Sequence, residues 1–140
     1  MLKSILNIFA PKKAEPKFLS ILIIEDNEVD QRIAGAAVER GGYQVIKAYD
    51  GKTGLDLARA HRPALIILDY NLPDLNGPYV CKLLKNDEQT RNIPVLFLTS
   101  MTSPDSILNC YEEGGENYLS KPINSKFLLK QIELTLKDKI

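Results

Sequence analysis

Leu65-Ile66-Ile67-Leu68-Asp69-Tyr70-Asn71 sets a carboxylate at the end of a short apolar run. Such a run reads as a buried strand, and Asp69 falls where that strand meets solvent. Three other segments end in the same way. Ile21-Leu22-Ile23-Ile24 ends in Glu25-Asp26, Val95-Leu96-Phe97-Leu98 ends in Thr99-Ser100, and Tyr118-Leu119-Ser120 ends in Lys121-Pro122. Three carboxylates, a hydroxyl and an ammonium therefore share one kind of position.

The segments between these runs read as helices. Leu19–Ile24 is the first strand. Asp26 or Asn27 can cap a helix to about Arg40, with Val29, Ile33 and Ala37 on one face and Gly41-Gly42 ending it. Gln44–Ala48 is a second strand, and Asp50 opens a helix ending near His61-Arg62-Pro63. After the third strand, Asn71–Gly77 is a loop, and Pro78 sits in the first turn of a helix reaching about Asn86. Ser103-Pro104-Asp105 starts a helix that stops at Gly114-Gly115. Asn124 can cap the last helix, where Leu129, Ile132 and Leu136 recur at helical spacing.

Strands alternating with helices imply an α/β fold: a five-stranded parallel sheet, doubly wound, with helices on both faces. Right-handed crossovers bring every strand's C-terminal end to one edge. Ligands of open sheets bind along that edge. Glu25 and Lys121, 96 positions apart, are thus expected at one site.

The chain has 140 residues, 44% of them hydrophobic, which suits one domain with a single core. Lys+Arg and Asp+Glu are each 18, so no basic field recruits nucleic acid. Cys81 and Cys110 match no zinc or Cys-x-x-Cys spacing and read as reduced thiols of a cytoplasmic protein. Residues 1–18 stand apart as an arm, and residues 19–140 form the domain. In the arm, Leu2, Ile5, Leu6 and Phe9 make one apolar helical face, Pro11 ends it, and residues 11–17 read as a linker. Docking on a partner or on its own domain ranks above membrane contact, for which Lys3, Lys12, Lys13 and Lys17 are few.

Each residue type has a chemical use. Glu25, Asp26 and Asp69 together are costly unless a cation neutralises them, and oxygen ligands with open positions suit Mg²⁺. Such a metal lets a phosphoryl group approach an anionic Asp69. Thr99 offers a hydroxyl donor and Lys121 a point charge to the phosphoryl oxygens.

Over about Leu19–Lys137 the sequence resembles the receiver domain of two-component response regulators. The motifs that carry the likeness are Ile-Glu25-Asp26-Asn27, Leu-Asp69-Tyr-Asn71-Leu-Pro73-Asp-Leu-Asn-Gly77, Phe-Leu-Thr99-Ser100 and Asn-Tyr118-Leu-Ser-Lys121-Pro122. The resemblance implies the flavodoxin-like strand order 2-1-3-4-5. It implies Asp69 as phosphoacceptor, and Mg²⁺ held by the acidic pair Glu25 and Asp26, with Asp26 as the direct ligand, by Asp69 and by the backbone carbonyl of Asn71. It implies Thr99 and Tyr118 as switch residues, Lys121 as the phosphate-binding lysine, and a cis bond to Pro122. Glu25 stands where Asp is commoner, and its longer side chain can reach a metal through water.

The expected function is that of a stand-alone receiver. A sensor histidine kinase or phosphotransfer protein supplies the phosphoryl group. Output is by contact with a downstream protein, by relay to another histidine, or through a phosphorylation-dependent homodimer. The sequence stops after its fifth helix, leaving no room for an output domain. The domain is not an enzyme beyond its own phosphorylation and dephosphorylation. A haloacid dehalogenase-like Mg²⁺-dependent phosphatase is the alternative, opposed by Asn71 where a second Asp is needed. A flavin carrier is opposed by the acidic Glu25-Asp26-Asn27-Glu28 loop.

Overall fold

A computed structural model describes residues 18–137; the arm and linker expected before Phe18 lie outside the described residues. Five strands and five helices alternate: β1 (Ser20–Ile24), α1 (Glu28–Arg40), β2 (Gln44–Ala48), α2 (Gly51–His61), β3 (Leu65–Leu68), α3 (Gly77–Lys85), β4 (Val95–Thr99), α4 (Pro104–Glu112), β5 (Asn117–Ser120) and α5 (Ser125–Lys137). All the strands run parallel, in the order β2-β1-β3-β4-β5. The fold class and strand order are those expected. β4 and β5 outrun their apolar stretches by a residue or two, because ladder hydrogen bonds do not require apolar side chains.

Polar caps set the helix starts. Asn27, Asp50, Asn76 and Ser103 each accept a hydrogen bond from the N–H three residues on. Asn124 does the same for Phe127 at 2.9 Å. Each cap contributes about 1 kcal/mol by satisfying a donor that the helix leaves open.

The period of two along the strands divides the core. Ile21, Ile23, Leu65, Ile67, Leu96 and Leu98 face α1 and α5, where Ala34, Ala37, Val38, Leu128, Ile132 and Leu136 are buried. Leu22, Ile24, Ile66, Leu68, Val95 and Phe97 face α2, α3 and α4. Burial on both faces is why these strands read as unbroken apolar runs.

One expected face is only partly right: Ala37 is buried as read, but Val29 and Ile33 are not. α1 buries Gln31, Ala34, Gly35, Ala37 and Val38, whereas Val29 and Ile33 are 56% and 37% exposed. The small residues Ala34 and Gly35 let the helix lie close to the sheet. Buried Gln31 is accepted there because its amide nitrogen donates to the carbonyls of Ile23, Glu25 and Ala48. In α5, Leu128 joins the buried stripe and Leu129 is only partly covered. Among the described residues no helix is long and apolar enough to cross a membrane.

The loop after β3 is braced at both ends. Asn71 bridges to Asn76, and the Gly77 N–H donates to the Tyr70 carbonyl at 2.6 Å. The Asp74 carboxylate accepts from the N–H groups of Gly51 at 2.7 Å and Lys52 at 2.9 Å, tying the loop to the start of α2. A Cβ at Gly77 would press on the Asp69 carbonyl oxygen and lie 2.9 Å from the Tyr70 Cα. Both neighbours are backbone and cannot turn aside. Gly77→Ala should therefore cost about 2–3 kcal/mol, a range set by forced backbone shifts. A urea midpoint equal to that of the wild type would refute this account of the loop.

Candidate functional site

The ladder continues one residue past the strands. The Glu25 N–H donates to the Ala48 carbonyl at 3.0 Å, the Asp69 N–H to Ile24 at 3.1 Å, and the Lys121 N–H to Thr99 at 2.9 Å. Residues at strand ends are thus fixed side by side by backbone bonds before their side chains interact. Gln31 braces the same edge from α1, through its bonds to the ends of β1 and β2.

Glu25, Asp26 and Asp69 each offer one carboxylate oxygen, and these lie within 4.8 Å of one another. Asp26 is exposed, whereas Glu25 and Asp69 retain only 3% and 7% of their accessible surface. The Lys121 ammonium sits among them. It pairs with Glu25 Oε1, with Asp30 Oδ2 at 2.9 Å and with Asp69 Oδ2 at 3.4 Å. The second oxygen of Glu25 accepts from the Asn27 N–H at 3.1 Å, and Asp69 Oδ1 accepts from the Tyr70 N–H at 2.7 Å. The Lys121–Pro122 bond is cis, as the resemblance implied.

Electrostatics show the strain of this crowding. Burial pushes the Glu25 carboxyl up to about 7; bonds from Lys121 and Asn27 oppose the rise, and the charge of Asp69 adds to it. For Lys121, burial works against the charge, but bonds to Glu25 and Asp30 and the charge of Asp69 outweigh it. They hold its pKa above the ordinary lysine value. One ammonium faces more carboxylate charge than it can balance. The donor set is all hard oxygen, with solvent on the Asp26 side, and it fits Mg²⁺.

Thr99 is fully buried at the end of β4, and its hydroxyl accepts from the Met101 N–H at 3.0 Å. Tyr118 on β5 is partly covered, and its hydroxyl donates to the Met101 carbonyl at 2.7 Å. The two residues expected to switch therefore hold one shared residue by its two backbone groups. Asn71 lies exposed two residues beyond Asp69.

Reading the sequence missed two contributors, Asp30 and Gln31. Asp30 had no signal beyond being an acidic residue in a first helical turn, where acids are common. Gln31 had none beyond being a polar residue within an apolar stripe.

The model of the response regulator receiver domain matches residues 21–133. The polar-differentiation response regulator DivK of Brucella anthropi is 38% identical over 119 residues, covering 85% of this chain and 97% of that protein. A putative response regulator from Chloroflexus aurantiacus superposes with a TM-score of 0.82 at 26% identity, over 86% of this chain and 99% of the other. The chemotaxis response regulator CheY4 of Vibrio cholerae gives 0.79 at 29% identity, over 84% and 98%.

The arrangement fixes how metal affinity divides between the two adjacent acids. Both oxygens of Glu25 are already engaged, by Lys121 and Asn27, whereas Asp26 faces solvent. In calorimetric titrations with Mg²⁺, Asp26→Ala should weaken binding by about tenfold or more, the scale of losing a charge-bearing ligand. Glu25→Ala should weaken it less. Unchanged binding in both variants would rule out this cluster as the metal site.

Proposed function

The chain belongs to the response regulator receiver domain family, and from that premise we propose that it is a stand-alone, phosphorylation-controlled binding module with Asp69 as its phosphoacceptor. Receivers take phosphoryl groups from histidine kinases or phosphotransfer proteins, and membership of that family leaves the phosphatase and flavin-carrier alternatives without support. One observation carries the assignment of Asp69. Of the two nearly buried carboxylates that share the acidic cluster and Lys121, Glu25 has both oxygens engaged, whereas Asp69 Oδ2 has only the longer, 3.4 Å contact to Lys121 and is the oxygen left to attack.

A carboxylate oxygen of Asp69 forms the new P–O bond as the P–N bond of the donor's phosphohistidine breaks. Imidazole leaves neutral when its other nitrogen carries the proton. Mg²⁺ held by Asp26, Asp69 and the Asn71 carbonyl, with Glu25 beside them, would supply the charge that lets two anions meet. Lys121 follows the new negative charge and binds a phosphoryl oxygen. Burial at the sheet edge keeps these interactions strong by keeping water away. We assign this chemistry to residues 19–140 and assign residues 1–18 to an attachment arm.

Labelling tests both assignments. Acetyl phosphate with Mg²⁺ should add one hydroxylamine-labile phosphoryl group to the full chain and to a chain lacking residues 1–17. Asp69→Asn should take up none. Equal labelling of Asp69→Asn would overturn the acceptor, and loss of labelling in the truncated chain would overturn the division.

The bonds to Met101 support a route from phosphoryl group to surface. Phosphorylation adds about −1.5 to −2 charges. When rotation about the Thr99 Cα–Cβ bond carries Oγ1 toward a phosphoryl oxygen, Oγ1 moves off the Met101 N–H that it accepts from. The loop that also holds the Tyr118 hydroxyl is then released, and Tyr118 can turn. Beryllofluoride should shift backbone amide resonances most from Thr99 through Tyr118 into α5. Thr99→Ala should reduce the shifts at Tyr118 while leaving those beside Asp69. Equal shifts at Tyr118 in both proteins would sink the route.

A further inference from the structure

Lys121 has three N–H donors, and three carboxylates from three elements share them. Glu25 and Asp69 lie at the ends of β1 and β3, and their side chains are 4% and 8% exposed. Asp30 stands in the first turn of α1, and its side chain is 26% exposed. The ammonium lies 2.9 Å from Asp30 and 3.4 Å from Asp69. Glu25, at the end of β1, is its tightest partner, and of the other two the ammonium sits nearer Asp30 on the helix than the carboxylate that we read as the acceptor. We infer that Asp30 is a positioning residue that holds Lys121 back from Asp69, and that it is the partner Lys121 gives up when a phosphoryl group arrives. This inference rests on the reading of Asp69 as phosphoacceptor.

Physical chemistry selects which partner is released. A phosphoryl group brings three strong acceptor oxygens, so the ammonium must shed a bond to engage them. Releasing Glu25 would leave a buried carboxylate without its cation, which is the expensive outcome. Releasing Asp30 leaves a carboxylate that water can reach, and at the start of a helix, where the exposed N–H groups and dipole favour negative charge. The exchange costs least there. Asp30 thus sets the resting position of Lys121 and hence how strongly the site grips a phosphoryl group.

The test is beryllofluoride binding to the Mg²⁺-saturated full chain, followed by calorimetry. Asp30→Asn should bind about two- to fivefold more tightly than wild type, the scale of one partly exposed ion pair. Asp30→Glu, which keeps the charge, should restore affinity close to that of wild type. In a Lys121→Ala background the gain from Asp30→Asn should vanish. A plain through-space effect of the Asp30 charge would persist there and would overturn the inference, as would equal affinity of Asp30→Asn and wild type. If Lys121→Ala binds too weakly to measure, the Lys121 ammonium ¹⁵N resonance decides. It must shift on Asp30→Asn in the free protein, and an unmoved resonance refutes the pairing. Wild type that binds no beryllofluoride, like Asp69→Asn, would instead overturn the reading of Asp69 itself.

Discussion

The ammonium of Lys121 joins parts of the chain that sequence keeps far apart. Its carboxylate partners come from the end of β1, the first turn of α1 and the end of β3, and Lys121 itself follows β5. Removing charges from water costs several kcal/mol per ion unless partners stand ready. The fold meets that condition by fixing the partners through backbone bonds. Glu25, Asp69 and Lys121 each extend the sheet ladder by one residue, Gln31 clips the neighbouring strand ends, and the absence of a side chain at Gly77 lets the next helix begin against Asp69. The charge cluster adds little to stability by itself. Its value lies in the imbalance it keeps, an excess of buried carboxylate that a cation can neutralise.

That imbalance was legible in the sequence because the sheet is parallel and covered on both faces. Parallel strands buried on both sides must be apolar throughout, so Ile21–Ile24, Leu65–Leu68 and Val95–Leu98 stand out as runs, and each polar residue that ends one marks the same edge. Caps were legible for a related reason. Asp50, Ser103 and Asn124, and Asn27 as one of two candidates, act through bonds three residues away, and local chemistry is what a sequence displays most directly, whereas Asn76 read only as part of a loop. The strand order was not readable from pattern alone and came from the family likeness.

What the sequence hid depends on tertiary packing. Val29 and Ile33 look like core residues by size, yet α1 turns its small residues inward, where they let the helix pack close to the sheet. Gln31 is buried for its hydrogen bonds rather than its hydrophobicity, and only the positions of three carbonyls explain it. Asp30 looks like an ordinary acidic residue of a first helical turn, and its role appears only once Lys121 arrives from the far end of the chain.

Met101 shows how such a site can reach the surface without a large rearrangement. Thr99 and Tyr118 sit on adjacent strands in a ladder where Thr99 lies opposite Ser120, and they are not direct partners. They are joined by the backbone of Met101, whose N–H goes to one hydroxyl and whose carbonyl takes the other. A side chain can change rotamer far more easily than a strand can move in a packed core. The loop after β4 is therefore a hydrogen-bonded link between the end of β4 and the β5 edge. One residue's backbone thus ties the hydroxyl at the end of β4 to the hydroxyl on β5.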